Sequence, residues 1–274
     1  MKKWYAVIGD PISHSLSPFM HDYWFQQHGI DASYIPLHVE PADLQHAIES
    51  MKLLGISGFN ITLPHKQAVI PLLDQLDETA QHMNAVNTVS VKDRSFKGFN
   101  TDGDGFVRSL LSYPVDKEKA LLIVGAGGAA RGIAFALERA GFTDISITNR
   151  TFRRAQELAL ETGSKALVMA DAEAQLSDFG TVIQTTSVGL TEEALPISLT
   201  HLGSGSVVAD IIYNPLETPF LKQAEAKGCL VLNGVGMFVN QGAIAFEKWT
   251  GIRPDTEEMI KLITEKLGGN HVNK

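Results

Sequence analysis

Residues 121–132 read LLIVGAGGAARG, an apolar run cut by closely spaced glycines and followed by an alanine-rich stretch. No other part of the chain restricts the backbone so tightly. An apolar strand has to end at Val124 and a helix has to begin a few residues later, with Gly125 permitting the tight turn between them. Gly125, Gly127 and Ala130 follow the spacing G-x-G-x-x-A. In such a turn the second glycine lets a pyrophosphate approach the backbone, and the small third residue lets the helix pack close to its strand. The helix start adds unpaired N–H groups and a partial positive charge. A second strand, within DISITNRT (144–151), follows at the distance a βαβ unit requires. The stretch reads as a dinucleotide-binding turn, with Gly125, Ala126, Gly127, Gly128 and Ala129 at the phosphates. The alternative is a glycine-rich turn that serves packing alone.

The end of that second strand bears on which dinucleotide binds. Sites for NAD place an acidic residue there, on the ribose 2′-hydroxyl. Here the strand ends in Asn149-Arg150-Thr151, with Arg153 and Arg154 close behind. Asp144 lies at the expected count from the glycines but precedes the strand, at its wrong end. The chain's formal net charge is −8, from 23 basic and 31 acidic residues. Arginines clustered against that background suit a 2′-phosphate, each charge-assisted hydrogen bond being worth about a tenfold to hundredfold preference. The alternative is a set of solvated arginines, which at a helix start oppose its dipole. The cofactor expected is NADP.

Strand-like and helix-like runs alternate along the whole chain, as in an α/β protein with largely parallel sheets. WYAVIGD, ASYIPLHV, SGFNITL and NAVNTVSV are the expected strands of the first hundred residues, with helices in FMHDYWFQQHG and PADLQHAIESMKLLG. A helix is expected in GFVRSLLSY, and further strands in TVIQTTS, SVVADIIY and CLVLNG. Two last helices are expected at about 238–249 and 255–267. The fold class is α/β with two domains: an N-terminal α/β substrate domain, 1–101 plus the returning segment 238–274, and a Rossmann-type doubly wound dinucleotide-binding domain, 102–237.

The length of 274 residues accommodates two such domains. The acidic balance argues against nucleic acid or an anionic membrane as partner. No apolar run reaches the length of a spanning helix, and the apolar start breaks too early, at Gly9-Asp10-Pro11, for a signal peptide. Cys229 is the one cysteine, reads as a buried thiol, and fits a cytoplasmic location. The histidines show no metal-ligand spacing, so no metal is expected. The expected partner is a small-molecule substrate, and the chain is a monomer or a homodimer.

Three stretches outside the glycine turn concentrate polar residues. In SHSLSP, Ser13, Ser15 and Ser17 alternate before Pro18, and Ser17 reads equally as an N-cap or as a ligand for a carboxylate. In GFNITLPHK (58–66), an apolar strand stops at Pro64 and presents Lys66 at its tip, the end of a strand where α/β sites lie. Asn60 and Thr62 share one face of that strand. Lys66 is either a solvated charge or a residue placed to move a proton; His65 and His14 read as turn or packing residues. In FNTDGDG (99–105), Asp102 stands ahead of a helix among Asn100, Thr101 and two glycines, a polar density beyond what a cap needs.

Together these stretches resemble the shikimate dehydrogenase family. The matching residues are Ser15 and Ser17; Asn60, Thr62 and Lys66; Asn87; Asn100 to Asp102 with Gly105; Gly125 to Gly132; Asn149 to Arg154; and Gly236-Met237 with Gln241-Gly242. The resemblance runs through nearly the whole chain in the right order. It implies an NADP-dependent oxidoreductase that interconverts 3-dehydroshikimate and shikimate on the route to chorismate and aromatic amino acids. It puts Lys66 and Asp102 at the reacting hydroxyl as an acid/base pair. It puts Ser15, Ser17, Asn60, Thr62, Asn87, Asp102, Tyr213 and Gln241 around the substrate. Glu78, Asn149, Arg150, Thr151, Arg154, Ile211, Gly234 and Met237 match positions near the cofactor. Reducing a ketone requires a proton on oxygen, which a held lysine ammonium supplies. Phe238 departs from the smaller aliphatic residue of relatives; it and Met237 either shape the nicotinamide pocket or belong to the core of the returning helix. The competing readings are a quinate/shikimate dehydrogenase of broader specificity or one preferring NAD, and a non-catalytic NADP-binding sensor.

Overall fold

The computed structural model describes residues 2–268, which divide into two compact units. One comprises the chain up to Thr101 together with Gln241–Met259; the other comprises Asp102–Asn240 and the residues from Ile260. The sequence assigned everything from 238 onward to the first domain. The compact units differ there, because the returning segment enters the first unit at Gln241 and leaves it after Met259.

The first unit holds a mixed sheet. Its strands are β1 (Lys3–Gly9), β2 (Ala32–His38), β3 (Gly58–Ile61), β4 (Gln75–Leu76), β5 (Thr88–Lys92) and β6 (Ser95–Phe99), in the order β2-β1-β3-β5-β6-β4. β1 is parallel to both β2 and β3. Residues 5–9 of β1 and all of β3 are buried, as expected of strands covered on both faces. The helices are α1 (Ser17–Gln27), α2 (Leu44–Leu53), α3 (His65–Ala68) and α4 (Glu78–Met83).

Two expectations in this unit need correction, and one strand is added. The strand expected from Asn84 begins at Thr88, because α4 ends on Asn84 in a left-handed conformation (φ 46°). SFKGF, to which the sequence assigned no element, is the second arm of a hairpin, antiparallel to β5. The turn between them, Asp93-Arg94, has φ of 50° and 62°, the two-residue geometry whose twist matches the strands. Ser17 is not an N-cap: it is the first helical residue of α1, and its amide donates to the Ser15 Oγ at 3.3 Å. The N-cap position is Leu16, which makes no side-chain cap bond.

The second unit is an all-parallel sheet of β7 (Leu121–Val124), β8 (Ile145–Thr148), β9 (Lys165–Leu167), β10 (Thr181–Gln184), β11 (Val207–Asp210) and β12 (Leu230–Leu232), ordered β12-β11-β10-β7-β8-β9. The chain winds outward from β7 in one direction and from β10 in the other, the doubly wound order of dinucleotide-binding sheets. Side chains alternate between two cores: Leu121, Ile123, Ile145 and Ile147 in one, Leu122, Val124, Val182 and Val208 in the other. Helices α5 (Asp102–Leu110), α6 (Gly128–Arg139), α7 (Phe152–Glu161), α8 (Met169–Ala174) and α9 (Pro219–Ala226) belong to this unit. Two more, α10 (Val235–Thr250) and α11 (Thr256–Lys266), run from one unit into the other. No helix among the described residues is long and apolar enough to cross a membrane.

Candidate active site

In the first unit a polar cluster lies buried around β3, an interior strand of the sheet. Asn60 in β3 donates from Nδ2 to the Asn87 backbone carbonyl and to Thr88 Oγ1, both at 3.0 Å. Asn87 holds the chain that follows β6: its Oδ1 accepts from the Thr101 amide at 2.9 Å and its Nδ2 donates to Thr101 Oγ1 at 3.0 Å. Asn60, Asn87, Thr88 and Thr101 are all buried. Buried amides cost stability unless satisfied, so this frame has one arrangement rather than several.

Lys66 is tied to the same frame through its backbone. Its carbonyl accepts from Val86 N–H at 2.8 Å, next to Asn87, and the preceding turn is closed by His65 N–H on Thr62 O at 3.0 Å. Thr62 lies one residue beyond β3, with its amide donating to Ile8 O at 2.9 Å. The Lys66 side chain is half-buried and lies in α3, not at the bare tip of a strand. His65 is buried with Nε2 2.6 Å from Val39 O, the packing role expected of it. Asn60, Thr62, Lys66 and Asn87 are thus tied into one segment by the Asn60 side chain and by backbone bonds.

Asp102 follows Thr101 directly and opens α5 in the second unit, where it is half-buried. Gln241 begins the first-unit part of α10, and its neighbour Gly242 lies so close to α1 that a Cβ there would fall 2.2 Å from Met20 Cε. Ser17 is buried and Ser15 half-buried at the start of α1. Tyr213 belongs to the second unit, past β11, and stacks on Phe238 with ring centroids 5.1 Å apart. Phe238 is therefore the packing partner of a candidate substrate residue, while Met237 packs against the second unit's core.

The glycine turn has the form read from the sequence. Gly125 has φ +121°, and a Cβ there would fall 2.3 Å from Thr185 Oγ1, so no other residue fits. A Cβ at Gly127 or Gly128 would meet nothing within 4 Å, and α6 starts without a side-chain cap. Ala130 is fully buried, as close helix packing requires. At the end of β8, Asn149 Nδ2 donates to Thr151 O at 3.0 Å. Arg150 and Arg154 are exposed and carry no acidic partner among the described residues, whereas Arg153 pairs with Glu157 at 2.9 Å. Asp144, before β8, pairs with Lys165 at 2.8 Å. Gly234 approaches Ile211 so closely that a Cβ would fall 2.1 Å from the Ile211 carbonyl oxygen. Glu78 is exposed at the start of α4, in the first unit, while the other cofactor candidates belong to the second.

Three family models match this chain: the shikimate dehydrogenase substrate binding domain over residues 7–89, shikimate / quinate 5-dehydrogenase over 111–193, and the shikimate 5′-dehydrogenase C-terminal domain over 234–264. The shikimate dehydrogenase (NADP(+)) of Lysinibacillus sphaericus (strain C3-41) is 52% identical over 276 residues, spanning 98% of this chain and all of that one. The chain belongs to the shikimate dehydrogenase family.

Among solved structures, shikimate 5-dehydrogenase from Thermus thermophilus in complex with NADP(H) and shikimate superposes with a TM-score of 0.89 at 36% identity, over 96% of this chain and 99% of that one. A quinate dehydrogenase from Corynebacterium glutamicum in complex with NAD has the same TM-score at 29% identity, over 96% and 99%. The shared backbone therefore serves more than one substrate and cofactor, and the choice rests on side chains. Asp102, Ile211 and Tyr213 fall outside the three matched segments.

Within this shikimate dehydrogenase family member, one buried residue escaped the sequence reading. Tyr34, in β2, donates from its phenol to Asn60 Oδ1 at 2.7 Å. Burial holds the Tyr34 pKa well above its ordinary value, so the phenol stays a donor. The available signal was a tyrosine in a strand otherwise fit for a core, since a buried hydroxyl requires a partner. Among the described residues no group of three or more His, Cys, Asp or Glu is placed to hold a metal ion.

Proposed function

We propose that this chain catalyses the NADP-dependent, reversible reduction of 3-dehydroshikimate to shikimate, with Lys66 and Asp102 as its acid/base pair. The observation that carries the reading is the buried amide frame. It fixes the backbone of Lys66 through Val86 and that of Thr101, the residue before Asp102, through Asn87. In the reducing direction the Lys66 ammonium gives a proton to the carbonyl oxygen as it becomes a hydroxyl; in the oxidising direction the amine takes that proton back. Asp102 accepts a hydrogen bond from the same substrate hydroxyl. Ser15, Ser17, Asn60, Thr62, Asn87, Tyr213 and Gln241 bind the substrate's carboxylate and ring hydroxyls.

The second unit fits NADP. The open backbone at Gly127 and Gly128 and the uncapped start of α6 suit a pyrophosphate. Arg150 and Arg154, unclaimed by carboxylates, suit the 2′-phosphate. Ala126, Ala129, Asn149, Thr151, Ile211, Gly234, Met237 and, from the first unit, Glu78 complete the set. Bound NADPH supplies the hydride that reduces the carbonyl carbon. The reaction takes place in the cytoplasm, in keeping with the free, buried Cys229.

The test is to mix the protein with shikimate and NADP and follow near-ultraviolet absorbance, with quinate and NAD in parallel. Absorbance should rise fastest with shikimate and NADP. Faster turnover of quinate, or of NAD, assigns the broader enzyme instead, and no change with any pair across the accessible pH range assigns a sensor.

A further inference from the structure

We propose that Tyr34 is a positioning residue: it acts through Asn60, holding that side chain so that it accepts, and does not donate, a hydrogen bond from a substrate hydroxyl. The proposal rests on the function proposed above and extends it to a residue that touches no substrate.

An asparagine side chain has two donor hydrogens and an acceptor oxygen with two lone pairs. Both Asn60 hydrogens are spent, on the Asn87 carbonyl and on Thr88 Oγ1. The amide has one orientation, because turning it would set its oxygen against the Asn87 carbonyl oxygen. One lone pair of Oδ1 is filled by the Tyr34 phenol at 2.7 Å. What Asn60 has left for a ligand is a single acceptor position, and the phenol decides where that position points.

The phenol is itself held from behind. Tyr34 is buried, and the His21 ring lies stacked on it, with centroids 4.5 Å apart and planes 13° apart. His21 is fully buried and neither of its nitrogens has a hydrogen-bond partner. It acts as a flat aromatic plate whose place is set by shape, with Trp24 and Trp249 at its edges.

Tyr34→Phe removes one oxygen and leaves the ring on His21. The expected result is about a tenfold rise in KM for shikimate, the effect of one lost hydrogen bond. The fall in kcat should be smaller than about threefold, with KM for NADP unmoved. In an Asn60→Ala background the same substitution should change shikimate affinity, read by calorimetric titration, by less than about twofold. An unchanged KM for shikimate overturns the proposal, as does a full tenfold effect in the Asn60→Ala background. Loss of NADP binding and of a cooperative melt in Tyr34→Phe also overturns it, since the phenol would then serve the fold. A wild-type protein that fails to oxidise shikimate overturns the proposed function instead, so the two failures are distinguishable.

Discussion

Asn60 and Asn87 are joined by a 3.0 Å hydrogen bond from the Asn60 side chain to the Asn87 backbone carbonyl, which also accepts from Ile61 N–H at 2.9 Å. The chain between α4 and β5 is thereby fastened to the end of β3 by a donor that only an amide supplies. Asn60→Asp keeps the shape but sets a carboxylate oxygen against that carbonyl and leaves it buried. The expected cost is about 2–4 kcal/mol, seen as a lower urea midpoint with unchanged m-value. A midpoint equal to that of the parent would show that the bond contributes nothing.

Lys66 contributes its backbone to the same frame, and the proposed mechanism uses its side chain. Lys66→Ala preserves the Val86 bond to its carbonyl, so the fold is expected to survive. Turnover should fall about a hundredfold to ten-thousandfold, the usual worth of positioned acid–base catalysis, while KM for shikimate changes less than about threefold. Near-normal turnover would remove Lys66 from the mechanism.

The arginines after β8 differ in what already holds them. Arg153 has Glu157 one turn on, whereas Arg150 and Arg154 have no carboxylate partner among the described residues. Arg150→Ala and Arg154→Ala should each raise KM for NADP about tenfold to hundredfold and leave KM for NAD unmoved. Arg153→Ala should raise it less than about threefold. Steady-state rates with both cofactors check this; equal effects of all three substitutions would mean that the phosphate is held by the general charge of the turn.

The glycine turn was legible because its constraint is local: positive φ at Gly125 and close packing at Ala130 involve residues within one βα unit. Lys66, Asn60 and Asn87 were legible through resemblance, while the bonds that tie them together were not, since those cross from β3 to the start of β5. The Asp93-Arg94 hairpin was missed because Arg94 takes the second position, where glycine is the usual carrier of positive φ. Tyr34 was missed for a topological reason. It pairs with Tyr5 in β1, which on its other side pairs with Gly58, so its contact with Asn60 depends on the register of three strands.

Gly103 adds a packing role to FNTDGDG, read from the sequence as a cap with the polar density of a site. A Cβ there would fall 2.2 Å from the Gly132 carbonyl oxygen, so this glycine lets α5 lie against α6. Gly103→Ala must push the helices apart, at about 1–3 kcal/mol, and moves the helix that begins with Asp102. The expected outcome is a lower melting temperature together with lower kcat. A loss of stability with full kcat would show that Asp102 tolerates the shift.

Two buried titrating groups act in opposite directions, one in each unit. Burial raises the Asp210 carboxyl from 3.8 to about 6 against hydrogen bonds from Ile212 N–H at 3.0 Å and Thr218 Oγ1 at 2.8 Å. Its contribution is full below about pH 4 and is lost as pH rises through about 6, roughly 3 kcal/mol in all. Burial lowers His21 from 6.5 to about 3, so its contribution is full above about pH 6.5 and is lost as pH falls toward 3. The three tryptophans, Trp4, Trp24 and Trp249, all belong to the first unit, as His21 does. Tryptophan fluorescence should therefore report a melt that moves down as the solution is acidified from about pH 7 to about pH 4. Asp210→Asn, which keeps both hydrogen-bonded contacts without the charge, should raise the circular-dichroism melt at about pH 8 and leave it unchanged at about pH 4. A variant that melts like the parent at about pH 8 would mean that the Asp210 carboxylate is solvated in the folded protein, because a charge that costs nothing to bury is not buried.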